Sequence, residues 1–341
     1  MKAERIDLRQ MALPADFCDC RFFCFRILLS RYGLFPTEED MLGIGEGLAF
    51  RLVNVSTLST KVYCPVGRDM DFEPVYGQKA GINLRAHQFD RGGVEDVIAP
   101  VRRKIGSGDP VVANVDRYYL DYLSIQRAHV GYHTVLVFGY DDGSRTLQVL
   151  DGLTGSRVID LPYDVFHKAV LSDCVVPTNR RWFCVEGAPA LPLPTPGEDV
   201  VREALRNTCR RVLAETESAF GFTEAMRRYA AAGSAPQIRK FLDIQGSVFF
   251  PSFYEQDRTR CFYRKTFFAF LLDHFEIFPD AFKQRILYAG NDLITAVQTV
   301  HDARQQGAGQ ELPAFEAYIR KEQALHQLLL SALDDDEENK P

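Results

Sequence analysis

The sequence predicts an α+β fold in which an N-terminal helix packs on an antiparallel sheet and an α-helical bundle follows. Three observations carry this. Apolar residues recur at Phe23, Cys24, Ile27 and Leu28 after Cys20, the i, i+3, i+4 rhythm of a buried helical face. From about residue 51 to residue 186, short β-like runs alternate with turn residues. Beyond PALPLPTPGED (189–199), a proline-rich stretch without periodicity, long segments have helical spacing instead. The implied organisation is a domain over 1–188, a linker over 189–199, a helical domain over 200–332 and a disordered acidic tail over 333–341.

The elements follow in order. Residues 1–17 lead into the first helix, and Gly33 lies just past its last periodic residue, where a C-cap favours positive φ. Thr37 and Asp40 form a short capping signature for a second helix. GIGEGLAF then supplies Gly43, Gly45 and Gly47. No Lys-Ser/Thr follows and no strand precedes, so a tight turn packed against the first helix fits better than a phosphate loop. RLVNV and KVYCPV read as strands, VEDVIAPVRRKIGSG as a helix closed by glycine, and PVVANVD as a strand ending at Asp116. RYYLDYLSIQRAHVGY is a tyrosine-rich loop carrying His129. HTVLVFGYDD and RTLQVLDG form a hairpin around the Asp-Asp-Gly turn at 141–143, running from His133 to Asp151. GSRVIDLP is a strand, Tyr163–Leu171 a helix and RRWFCVE a last strand. Five or six helices follow, the composition of an α-bundle.

Composition narrows the function. A net charge of −6 argues against general affinity for nucleic acid, which needs a basic surface. No apolar run approaches the roughly 20 residues that span a bilayer, and MKAERIDLRQ lacks the apolar core of a signal peptide. The expected location is the cytoplasm, with reduced thiols. Eight cysteines include no CxxC pair and no following HxxxH, so neither a disulfide framework nor a metal site is expected.

Three residues occupy telling positions. Cys20 opens a helix, near the positive end of its dipole and its unpaired N–H groups, both of which favour thiolate. His133 starts a central strand and Asp151 ends its hairpin partner, so both fall at the same open end. A carboxylate there can fix the imidazole tautomer. Helix-start cysteine, strand-start histidine and neighbouring-strand aspartate form the arrangement of papain-like enzymes. Cys18 and Cys24 compete as nucleophiles, Cys18 ahead of the helix and Cys24 a turn inside it.

The motifs carry a resemblance. Asp19-Cys20 followed by Leu29, Tyr32 and Gly33 is similar to the nucleophile segment of the bacteriocin leader-processing cysteine peptidases, and YHTVLVFGYDD with LQVLDG resembles their histidine and aspartate strands. TEEDMLGIGEGLAF, NVDRYYLDY and YRKTFFAFLLDHFEIF (263–278) make the closer resemblance one to the butirosin-biosynthesis acyltransferase family. That resemblance implies a papain-like cysteine-peptidase-type domain followed by a helical C-terminal domain. It implies an acyl group delivered on the phosphopantetheine of an acyl carrier protein and handed to a small-molecule amine. Cys20 would be nucleophile, His133 base and then acid, and Asp151 the orienting carboxylate. Asp116 and Tyr119 would lie on the loop covering the site, with Asp116 holding a cationic acceptor. No cofactor is bound; the phosphopantetheine belongs to the partner.

The sequence departs from the papain-like pattern in two places. The nearest upstream glutamine is Gln10, too far away to serve as the usual oxyanion donor, and Arg21 follows Cys20 where the peptidases commonly have glycine. A thioesterase, cyclase or peptidase on the same triad is the second reading, and a non-catalytic module that binds a carrier protein the third. Arg258, Arg260, Arg264 and Lys265 are candidates for a basic docking patch facing an acidic carrier. Neither nucleic acid nor membrane is expected as a partner, and a homo-oligomer is allowed.

Overall fold

The computed structural model describes residues 2–15, 20–54, 63–69, 71–123, 129, 131–174, 178–187, 196–232, 263–306 and 308–338. Cys18, most of the proline-rich linker, and Arg258 and Arg260 of the basic run lie outside the described residues. The chain divides into two compact units, one formed by Met1–Glu38 with Ala80–Thr195 and the other by Glu39–Lys79 with Pro196–Pro341.

The first unit is the expected helix on an antiparallel sheet. Its strands are β1 (Ala3–Arg5), β4 (Leu84–Gln88), β5 (Val111–Val115), β6 (His133–Asp141), β7 (Thr146–Leu150), β8 (Val158–Pro162) and β9 (Arg181–Val185), numbered with β2 and β3 of the second unit. They pair in the order β4-β9-β5-β6-β7-β8, and β1 adds to β6. All of these pairings are antiparallel. Helix α1 (Cys20–Ser30) packs on β5 and β6. Its burial is wider than the predicted stripe: every residue from Arg21 to Ser30 except Arg26 is buried. A helix that is apolar nearly all round belongs in a core. Phe25 meets Phe183 of β9 edge-on at 5.1 Å, and the Cys24 thiol reaches the Thr134 carbonyl of β6 at 3.6 Å. Cys24 is therefore a packing residue. Gly33 has φ +80°, and Leu34 N–H returns to the Leu29 carbonyl, the glycine-dependent helix end expected there.

The second unit contains the surprise in domain organisation. Helix α2 (Glu38–Ile44) begins at the boundary; strands β2 (Leu48–Asn54) and β3 (Tyr63–Arg68) and helix α3 (Phe72–Lys79) group with the C-terminal helices, not with residues 1–188. Specific bonds explain this. Glu215, on a helix spanning Glu198–Ala232, accepts the Phe50 N–H at 2.6 Å, and Arg211 on the same helix donates to the Leu48 carbonyl at 2.7 Å. Arg264 donates to the carbonyls of Ala49 (2.9 Å) and Gly67 (3.3 Å). The three glycines of GIGEGLAF are hemmed in by Phe270, Phe72 and Leu42 of this unit.

The helical part is longer in its elements than the sequence suggests. DVVREALRNTC and GFTEAMRRYAAA merge into the one 35-residue helix Glu198–Ala232. Arg264–Asp273, Asp280–Gln306 and Ala308–Glu338 follow. The last helix runs through the acidic segment read as a disordered tail from 333, because Ala332 and Leu333 are fully buried and carry the helix onward. Arg264 is also buried, with all three guanidinium nitrogens committed: Nε and Nη2 donate to the two oxygens of Glu322 at 2.9 Å, and Nη1 to the Gly67 carbonyl. It cannot form part of an exposed docking patch.

Candidate active site

Cys20, His133 and Asp151 come together in the first unit. Cys20 is the first residue of α1 and is half-buried. His133, the first residue of β6, sits opposite Val115 of β5 with its side chain only 5 % exposed. Its Nε2 lies 2.7 Å from Asp151 Oδ2, and the Cys20 side chain hydrogen-bonds the same imidazole. With Asp151 ionised, Nε2–H is the donor and Nδ1 is left to face Cys20. The bulge in the β6–β7 register between Val137 and Gly139 precedes the rungs that bring Leu150 opposite Leu136, and the hairpin thus delivers both residues to one end.

Asp151 is fully buried and fully used. Its Oδ1 accepts the Leu153 N–H at 2.8 Å, capping the single turn Gly152–Thr154, and its Oδ2 accepts the Tyr122 hydroxyl at 2.7 Å as well as His133. Burial alone would raise the carboxyl, but the His133 charge and these donors outweigh it and hold Asp151 below the usual carboxylate range. For His133 the balance is the mirror image. Burial favours the neutral ring, yet the charges of Asp151 and Cys20, with a hydrogen bond to each, raise it well above the ordinary histidine value. The site favours a charged imidazole beside the Asp151 carboxylate.

Two arginines flank the cysteine, one in space and one in sequence. Arg117, whose guanidinium burial weakens, is pulled back by the charges of Cys20 and Asp116. Arg21, next to Cys20 in sequence, turns inward: it is fully buried, donates to Asn114 Oδ1 at 3.2 Å and lies over the rings of Phe25 and Phe183. Arg21 is thus a core residue at the position where glycine would be usual. Gln10 is exposed on the turn Leu8–Gln10.

The structure corrects the role expected of Asp116. It is completely buried, capping the turn Arg117–Tyr119, and its Oδ2 accepts Ser172 Oγ at 2.6 Å and contacts His129 Nδ1 at 2.7 Å. A carboxylate so enclosed cannot reach a cationic acceptor directly; it anchors the loop. Tyr119 stays half-buried, edge-on to Tyr118 at 5.3 Å. Tyr122 as a partner of Asp151 had no signal in the sequence beyond the tyrosine-rich loop, since no periodicity places a loop side chain.

Residues 19–152 match the family of butirosin biosynthesis protein H, N-terminal. No curated protein matches the chain. Among solved structures, one from Bacillus anthracis, assigned by likeness to the C39-like peptidases, is 12% identical. It covers 55% of this chain and 100% of its own, with a TM-score of 0.37, too distant to bear on activity. The described residues contain no helix long and apolar enough to cross a membrane. The stretch that this family model matches, residues 19–152, holds the cysteine, the histidine and the aspartate, and it is similar in sequence to the butirosin biosynthesis protein H N-terminal family.

Proposed function

We propose that the protein is a cysteine-dependent acyltransferase that moves an acyl group from a carrier-protein thioester through Cys20 to an amine. The observation that carries this reading is the buried His133 held between Asp151 and Cys20. An imidazolium favoured at that position keeps Cys20 as thiolate, the nucleophilic form. The Cys20 sulfur attacks the thioester carbonyl and forms a new C–S bond. The bond to the pantetheine sulfur breaks, and that thiol leaves with the proton of His133. The amine then attacks the acyl-enzyme, His133 takes its proton, the C–N bond forms and the Cys20 sulfur is released. Backbone N–H groups at the start of α1 would supply part of the oxyanion hole. Asp151 orients the ring and stabilises its charged form, and Tyr122 with Leu153 N–H fixes Asp151. The phosphopantetheine would come with the carrier, and Tyr119 would meet the acceptor, as the family resemblance implies.

Intact-protein mass spectrometry after mixing with acyl-loaded carrier proteins tests the reading, with Cys20→Ala and Cys18→Ala beside wild type. An acyl adduct is expected in wild type and Cys18→Ala and absent in Cys20→Ala, and added amine should discharge it to an amide. Free acid as the product even with amine present would point to a thioesterase. No adduct from any carrier would overturn the acyltransfer reading.

A further inference from the structure

Away from the cysteine site, at the opposite edge of the sheet's strand order, β4 and β9 bring together three side chains with metal-binding donors. The register pairs Arg85 with Cys184 and His87 with Trp182. Directly paired residues share a face, as do residues two apart on a strand, so His87, Cys184 and Glu186 all project to the same side. Their donor atoms, His87 nitrogen, Cys184 Sγ and a Glu186 oxygen, lie within 4.8 Å of one another. Sequence spacing gave no hint of this, because the histidine and the cysteine come from distant strands.

Two details favour a bound ion over a simple ion pair. His87 Nε2 is buried and 3.1 Å from Glu186 Oε1, yet no hydrogen bond of acceptable geometry forms to it, so its donor direction points past the carboxylate. The ring is also fixed, stacked on Trp182 at 4.3 Å and 21°. A preoriented nitrogen beside a thiol and a carboxylate is the donor set of a borderline-soft dication.

We propose that His87, Cys184 and Glu186 form a mononuclear site for a divalent cation of the zinc class, separate from the Cys20 centre, that ties edge strand β4 to β9. Three protein donors leave one tetrahedral position for water. Binding breaks the Cys184 S–H bond, forms the S–metal bond and releases the proton to solvent.

The test uses the full-length Cys20→Ala protein, which removes the other histidine-paired thiol, titrated with cobalt(II) and zinc(II). One cobalt per chain is expected, with tetrahedral d–d bands and a thiolate-to-cobalt band in the near ultraviolet. The thiolate band should vanish in Cys184→Ser. His87→Ala and Glu186→Gln should each weaken zinc by at least the roughly 10- to 100-fold that even outer-shell changes cost. Failure to bind either metal, or a thiolate band retained in a Cys184→Ser protein of unchanged circular dichroism, overturns the site. If Cys184→Ser does not fold, the half-buried His87 decides, and unchanged zinc affinity in His87→Ala overturns the proposal.

Discussion

Asp151 and His133 show how environment sets the chemistry of a pair. Each is buried, which disfavours its charged form, and each is driven to that form by the other. Asp151→Asn removes the largest influence raising His133. The acylation rate is expected to fall by roughly 10³- to 10⁴-fold, by analogy with the aspartate of serine triads, and the alkaline limb of the pH–rate profile to move to lower pH. Stability follows the same sign. Folding raises the His133 pKa above its ordinary value of 6.5. The pair therefore stabilises the fold fully below that value, and the contribution is lost as pH rises through the folded pKa. Denaturant titrations should show wild type and Asp151→Asn furthest apart in mildly acidic buffer and converging at alkaline pH. The sequence showed which two residues these are, because a hairpin's geometry is local; it could not show that Tyr122 and Leu153 N–H complete the carboxylate's shell.

At the scale of elements, α1 is held by polar as well as apolar contacts. The Arg21 guanidinium reaches Asn114 on β5, and the Asn114 amide donates to the Thr178 carbonyl at 3.2 Å. This links the start of α1 to the sheet through a buried charge. Asn114→Ala leaves that guanidinium without one of its acceptors, at a cost of about 1.5–3 kcal/mol for a hydrogen bond to a charged group. A matching drop in the thermal unfolding midpoint, with the Cys20 acylation rate lowered by displacement of the helix start, checks this. The helix itself was legible from its apolar spacing and from Gly33. Its burial on nearly every face was not, because spacing shows which residues prefer the core and not how many elements surround them.

At the scale of the whole molecule, residues 39–79 depart in sequence from the first unit and return to it at Ala80, while their partners lie after residue 195. A chain ended at Thr195 keeps Cys20, His133 and Asp151 but deprives β2 and β3 of the Glu215, Arg211 and Arg264 bonds that hold their backbone. It is expected to aggregate or to unfold at lower temperature than the full chain, as light scattering and circular dichroism melts would show. Replacing Arg264 alone would leave Glu322 as a buried charge without its partner, the costly half of a buried ion pair. By itself the sequence determined the α+β class, the hairpin from His133 to Asp151, the helix opened by Cys20 and the likeness of residues 19–152 to the butirosin biosynthesis protein H N-terminal family, since periodicity, turn chemistry and motif order are written along the chain. Only the tertiary structure decided that Asp116 is an anchor, that Arg264 is a core residue, that β2 and β3 belong with the helices, and that His87, Cys184 and Glu186 converge. Each of those depends on burial or on pairing between distant segments, which no local pattern encodes.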